Sequence, residues 1–225
     1  MQKIGFCAVL TLVFLTAAGV PAVYPQHRHL LEYIFLCLKE LLFGVAMGYV
    51  LNTMFAVALT AGSLVDYQIG YSMANVYDAQ NNIQAPITGS LFNMLLLLLF
   101  FAVDGHLRLI EILYRTIELV PVGQVILAPE IVWAAAEVMS KSFVLAVMAA
   151  MPVLASGLLL EVAMGATIRT VPQMNMFVVG IPLKLIVGLL MFALTLTVFA
   201  DFSKLVFTKA FEYIDLFFLY LGSGT

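Results

Sequence analysis

Charge is what this sequence has least of. Only 10% of its 225 residues are Asp, Glu, Lys or Arg, while 64% are hydrophobic. A soluble domain carries about 25% charged and about 45–50% apolar residues, so there is too little charge here to cover a water-facing surface. That excludes a soluble enzyme, and it excludes a disordered chain, which needs low hydrophobicity and high net charge. A basic excess is missing too: Lys+Arg number 10 against 13 Asp+Glu, a net charge of −3, which leaves no face for nucleic acid. Cysteine is scarce. Cys7 and Cys37 sit in apolar stretches with no CxxC pattern and no adjacent His or Asp. They read as buried small hydrophobes, not as a disulfide or a metal pair. Asp104-Gly105-His106 offers too few ligands for a metal and reads as a polar turn at a helix end. No Gly-rich phosphate loop, Ser/His/Asp set or HExxH occurs, so no enzymatic chemistry, cofactor or metal is expected.

Long hydrophobic runs are abundant, and they predict an all-α protein of a membrane or membrane complex. Five runs lack charge or carry one: 4–20, 41–65, 87–103, 142–160 and 174–200. Asn52, Pro152 and Lys184 interrupt the second, fourth and fifth. A helix needs about 20 apolar residues to cross about 30 Å of hydrocarbon, so the longer runs qualify and the two shortest are marginal. The first run also has signal-peptide wording, with Lys3 ahead of it and Thr16-Ala17-Ala18 near its end. The rest of the chain is equally hydrophobic, so no soluble mature domain waits to be released. Lys and Arg are spread over nearly every connection, which leaves the positive-inside rule without an orientation. In 201–221 the pattern changes. Asp201, Lys204, Thr208, Glu212 and Asp215 recur every three or four residues among Phe, Leu and Val, the pattern of an amphipathic helix with a narrow polar stripe.

Several residues stand out against this background. Glu40, Gly44, Gly48 and Asn52 are spaced by four along one helix face, and Gly44 to Gly48 is a GxxxG pattern that lets two helices approach closely. Packing against a dedicated partner surface is expected there. Glu161 ends a long uncharged run. A carboxylate at membrane depth costs on the order of 2.5–3.5 kcal/mol, so it is normally paired or faces water. Arg169 lies two turns on, about 12 Å along the axis and out of direct reach, which leaves Lys184 as the other candidate partner. The alternative is a helix-end carboxylate at an interface. Pro172 disfavours helix at Val171, so a helix is expected to end near Arg169, where the dipole favours a cation. Thr170 and Gln173 have capping-box spacing for a following helix, which Gly180 and Pro182 loosen and kink. The stretch 69–84 is long, low in charge, and mixes Tyr71 and Tyr77 with Met73 and Val76. Such a segment fits a loop buried in protein or lining a cavity.

Arg169-Thr-Val-Pro172-Gln173-Met174-Asn175-Met-Phe177-Val-Val-Gly180-Ile-Pro182-Leu-Lys184 resembles the FliR family of the type III secretion export gate. Gln68-Ile-Gly70-Tyr-Ser72-Met-Ala74, Tyr77-Asp78 and Asp104-Gly105-His106-Leu agree in the same order, and the likeness runs from Lys3 along almost the whole chain. Injectisome counterparts share the architecture, and the Phe-Val-Val-Gly wording leans to the flagellar branch. The resemblance implies one helical export-gate domain over 1–225, built of hairpins. It implies assembly with FliP-like and FliQ-like subunits beside an FlhB-like protein, in the bacterial inner membrane at the flagellar basal body. Unfolded flagellar proteins would pass through the channel, driven mainly by the proton motive force. In that family the hairpins form a cone largely lifted out of the bilayer plane.

The family's channel plug corresponds to 69–84, with Ile69, Met73, Val76, Tyr77 and Asp78 as its residues. Glu161, Arg169, Pro172, Gln173, Asn175 and Lys184 become candidates for conduit or subunit contact. Three departures accompany the likeness. Relatives usually have a further hydrophobic segment before Lys3, so the first family helix is expected to be missing; Ala79 follows Asp78 where Pro is frequent; and Glu161 replaces another polar residue. A rival reading from a different class is a small multispanning ion-coupled transporter or channel using Glu161 and Lys184.

Overall fold

A computed structural model gives the fold and describes residues 2–18, 29–71, 86–119, 125, 129–171 and 175–222. Among these residues there are six helices and no strand: α1 (Gln2–Ala18), α2 (Leu30–Ile69), α3 (Ile87–Ala102), α4 (Gly105–Leu119), α5 (Glu130–Thr170) and α6 (Met176–Gly222). The all-α expectation holds. The helices nevertheless outlast the charge-free runs that announce them. α5 starts at Glu130 and passes through Glu137 and Lys141 before reaching the apolar stretch. α6 does not stop at Ala200 but continues through the amphipathic tail. The Lys204 ammonium pairs with Asp201 at 2.8 Å in the i,i+3 relation, which supports helix on both sides of the join. The tail is therefore the second half of one long helix, with Val206, Phe211, Ile214 and Phe217 buried and the polar stripe exposed.

α2, α5 and α6 contain 40, 41 and 47 residues. At about 1.5 Å per residue each is roughly 60–70 Å long, about twice the hydrocarbon thickness of a bilayer. All three are long and apolar enough to cross a membrane. α3 and α4 pass the same test only when taken together, and the apolar part of α1, Lys3–Phe14, is shorter than a span.

Local chemistry explains the break between α3 and α4. Asp104 adopts φ 56°, a left-handed conformation that Asp tolerates better than most residues. Its carbonyl accepts the N–H groups of Leu107 and Arg108 at 3.0 and 3.2 Å and so opens α4. The polar turn expected at this position is present. The capping box is not. Thr170 is the last residue of α5, and its hydroxyl donates to the Thr167 carbonyl at 2.9 Å, back into its own helix. Gln173 lies outside the described residues, and α6 opens instead on the Asn175 carbonyl, which accepts from Val178 and Val179 at 3.2 Å each. Arg169 occupies the last turn of α5 as expected. Pro152 and Pro182 lie inside α5 and α6, each removing one helical N–H.

The chain divides into two compact units. The first contains Met1–Leu51, Asp104–Ala136 and Phe211–Thr225. In it Phe14 meets Tyr114 with ring centroids 6.3 Å apart, the Tyr49 hydroxyl donates to the Ala135 carbonyl at 3.0 Å, and the Arg108 guanidinium lies 4.5 Å from the Phe211 ring centre. Cys7 and Cys37 belong to this unit and are exposed free thiols, contrary to the expected burial. The reason is that their helix faces are left uncovered: Ile4, Phe6, Phe35 and Leu38 beside them are also exposed.

The second unit contains Asn52–Val103 and Glu137–Ala210. Its core is aromatic. Phe92 stacks on Phe199 at 4.7 Å, and Phe100 meets Phe55 and Phe207 edge-on, both at 5.4 Å. Such pairs add about 0.5–1.5 kcal/mol each beyond the area they bury. Phe92, Leu96, Met54, Val57 and Val153 are almost wholly inaccessible.

Candidate functional site

The C-terminal end of α2 and the N-terminal end of α3 bracket the stretch 70–86, and both ends are tightly built. α2 stops where Gly70 takes φ 95°, a conformation that glycine adopts without strain, and its N–H bonds to the Asp66 carbonyl at 3.1 Å. Asp66 is buried, with 6% of its surface exposed, and its carboxylate reaches Thr88 in the first turn of α3. The Thr88 N–H donates to Oδ2 at 3.2 Å and to Oδ1 at 3.3 Å, and the Thr88 hydroxyl donates to Oδ1. α3 needs such an acceptor, because its N-cap is Pro86, which makes no side-chain capping bond. An acidic group at a helix N-terminus satisfies free N–H donors and complements the helix dipole.

Glycines seat the same end of α2. A Cβ on Gly62 would stand 2.1 Å from the Gly89 backbone, so α2 and α3 touch there backbone to backbone. A Cβ on Gly157 of α5 would strike Gln68, and one on Gly188 of α6 would strike Ile69. Gln68 is buried in this seat, and Ile69 is 2% exposed.

Beside it lies the ion pair that the sequence left open. The Lys184 ammonium sits 2.5 Å from Glu161 Oε1, joining α5 to α6, with side chains 25% and 44% exposed. The Gln68 amide approaches the same oxygen at 3.5 Å, a long contact that brings in α2. Glu161 is thus paired with Lys184, while Arg169 is exposed at the helix end.

The other sequence candidates fall as follows. Met73, Val76, Tyr77 and Asp78 lie outside the described residues, as do Pro172 and Gln173. Gly44 and Gly48 are exposed, and a Cβ on either meets nothing within 4 Å among the described residues; Asn52 is exposed too. Sequence reasoning passed over Asp66, Thr88, Gly62, Gly89, Gly157 and Gly188. The one available signal was an acidic residue placed at the border of the apolar run 41–65.

Among the described residues no three His, Cys, Asp or Glu side chains gather into a potential metal site. A cavity of about 320 Å³ lies along α5 and α6, lined by Met148, Pro152, Leu194, Val198, Phe199 and Thr195. The Thr195 hydroxyl is already bonded to the Met191 carbonyl of its own helix at 2.9 Å, so the cavity presents an apolar wall.

Residues 1–210 match the family described as bacterial export proteins, family 1. The chain is similar to the flagellar biosynthetic protein FliR of Bacillus subtilis (strain 168), with 31% identity over 215 residues, 94% of this chain and 82% of that protein. It is similar to the FliR of Escherichia coli (strain K12), with 32% identity over 179 residues, 80% of this chain and 69% of that one. For the FliR of Aquifex aeolicus (strain VF5) the figures are 29% over 214 residues, 92% and 78%.

Proposed function

The chain belongs to the bacterial export proteins, family 1, and from that membership we propose that it is a non-enzymatic subunit of the flagellar type III protein export gate. In this reading it forms part of the channel for unfolded flagellar proteins, and the stretch 69–84 is an apolar plug across that channel. Its neighbours are FliP-like and FliQ-like subunits and an FlhB-like protein, and its place is the inner membrane at the flagellar basal body. The observation that carries the proposal is the likeness to flagellar FliR proteins along 94% of the chain.

The structure adds two supports. The helix ends that flank the plug stretch are packed: Asp66 in the last turn of α2 accepts from Thr88 at the start of α3, and Ile69 lies against Gly188 of α6. A plug has to be held at its base while it blocks a path. The uncovered apolar faces of α1 and of the first half of α2 provide a surface for neighbouring subunits. The rival reading, an ion-coupled transporter using Glu161 and Lys184, is weakened because these two groups neutralise each other.

The test is coexpression with the FliP-like and FliQ-like neighbours. A complex of fixed stoichiometry should purify and, in vesicles, hold ions back. Replacing 71–84 by a glycine-serine segment of equal length should raise ion leakage several-fold while leaving the complex intact. Unchanged leakage would remove the plug assignment, and solute flux through the lone chain would favour the transporter.

A further inference from the structure

We propose that Asp66 is a positioning residue: a cap supplied from the last turn of α2 that holds the two ends of the stretch 70–86 together. α3 lacks a side-chain cap of its own. The first N–H groups of any helix have no partner within it, and a side chain at the N-cap position ordinarily accepts one of them. Pro86 occupies that position here and makes no such bond. The acceptor comes instead from 22 residues upstream, on the last turn of α2, where both carboxylate oxygens of Asp66 face the Thr88 N–H and one also accepts from the Thr88 hydroxyl.

Both partners are buried, at 6% and 4% exposure. A buried acidic group without hydrogen bonds is strongly unfavourable, so Asp66 and the start of α3 depend on each other. Separating the two ends would strand a carboxylate on one side and an N–H on the other. Neighbouring geometry allows little slack. Gly62 and Gly89 press the two backbones together one turn from the cap, and the side chain of Ile69 fills the place beside Gly188. Asp66 therefore acts through Thr88 on the chain between them.

The arrangement also assigns a specific chemistry to Asp66. What is required is an acceptor for an N–H, and an amide oxygen provides one as well as a carboxylate does. A residue that carried protons or bound a cation would instead need the carboxylate itself.

The bearing on the channel rests on the plug reading; the cap itself does not. The test uses the complex with its FliP-like and FliQ-like neighbours, with Cys7 and Cys37 replaced by serine and spin labels attached at Y67C and I87C. Both label sites are exposed, at 74% and 65%. Pulsed electron paramagnetic resonance then reads the separation of the two ends. A single narrow distance maximum is expected for the native complex and for Asp66→Asn. Asp66→Ala should lose that maximum, and Thr88→Val, which removes only the hydroxyl, should broaden it less. Ion leakage should rise in the same order. The proposal is overturned if the maximum survives Asp66→Ala, or survives Thr88→Pro, which removes both the N–H and the hydroxyl, should the alanine variant not accumulate. It is equally overturned if Asp66→Asn broadens as much as Asp66→Ala. Broadening without leakage leaves the cap standing and removes the plug reading.

Discussion

Two pairs of glycines lie on or against α2, and they live in different surroundings. In the first half of the helix, Gly44 and Gly48 are exposed and a Cβ on either would meet nothing within 4 Å among the described residues. In the second half, Gly62 touches Gly89 so closely that a Cβ would stand 2.1 Å from its backbone. Small residues allow a helix surface to come within close reach of a neighbour. In the second unit the chain supplies that neighbour from its own α3. In the first unit the small-residue face points away from the chain's own described residues, and another chain is free to use it. A glycine pattern marks where a helix can be approached, and the packing says by whom.

That contrast can be broken at several points. Gly62→Leu should have the largest effect, about 3 kcal/mol or more, because backbone rather than a flexible side chain stands in the way. It should show as a large drop in thermal stability of the detergent-solubilised chain. A stable Gly62→Leu chain would mean the α2–α3 contact is not as tight as drawn.

Next comes the ion pair. Hydrogen bonds to charged groups are worth about 1.5–3 kcal/mol, but the Glu161 side chain is 44% exposed and the Lys184 side chain 25%. Screening reduces the value of exposed pairs, so Glu161→Gln should cost about 1 kcal/mol. Lys184→Glu should cost more, through repulsion, and the exchange Glu161→Lys with Lys184→Glu should recover most of the loss in a thermal melt. Failure of the exchange would show that the pair is incidental to stability.

Gly44→Leu should disturb the chain least, within about 0.5 kcal/mol, as surface changes usually do. Assembly with the FliP-like and FliQ-like subunits should nonetheless fall sharply when measured by co-purification. An intact complex carrying that leucine would leave the first half of α2 without a partner role.

Much of this could be read from the residues. The apolar runs located five of the helices, the three-and-four spacing of Asp201, Lys204, Thr208, Glu212 and Asp215 gave a stripe that is exposed, and Lys184 was one of two candidates to neutralise Glu161. Helix ends were harder. A charge ends an apolar run without ending a helix, since Glu137, Lys141 and Lys204 are good helix formers with exposed side chains. Thr170 had the spacing of a cap yet bonds backward, because a threonine hydroxyl can reach a carbonyl of its own preceding turn. The seat of Ile69 was invisible for a different reason. Asp66 and Thr88, Gln68 and Gly157, Ile69 and Gly188 are pairs made by the fold, and no local periodicity relates their members.

The cap on α3 has a consequence for how the chain can vary. Once Asp66 holds Thr88, the distance between the ends of the intervening stretch is set by packed helices and not by the stretch itself. The entropic penalty of closing a flexible loop grows only with the logarithm of its length, about 0.6 kcal/mol for each doubling. Residues could be added to or removed from the middle of 70–86 at little cost to the subunit that carries them. The stretch 70–86 is then an insert in a fixed frame, and its length can change while the frame stays as it is.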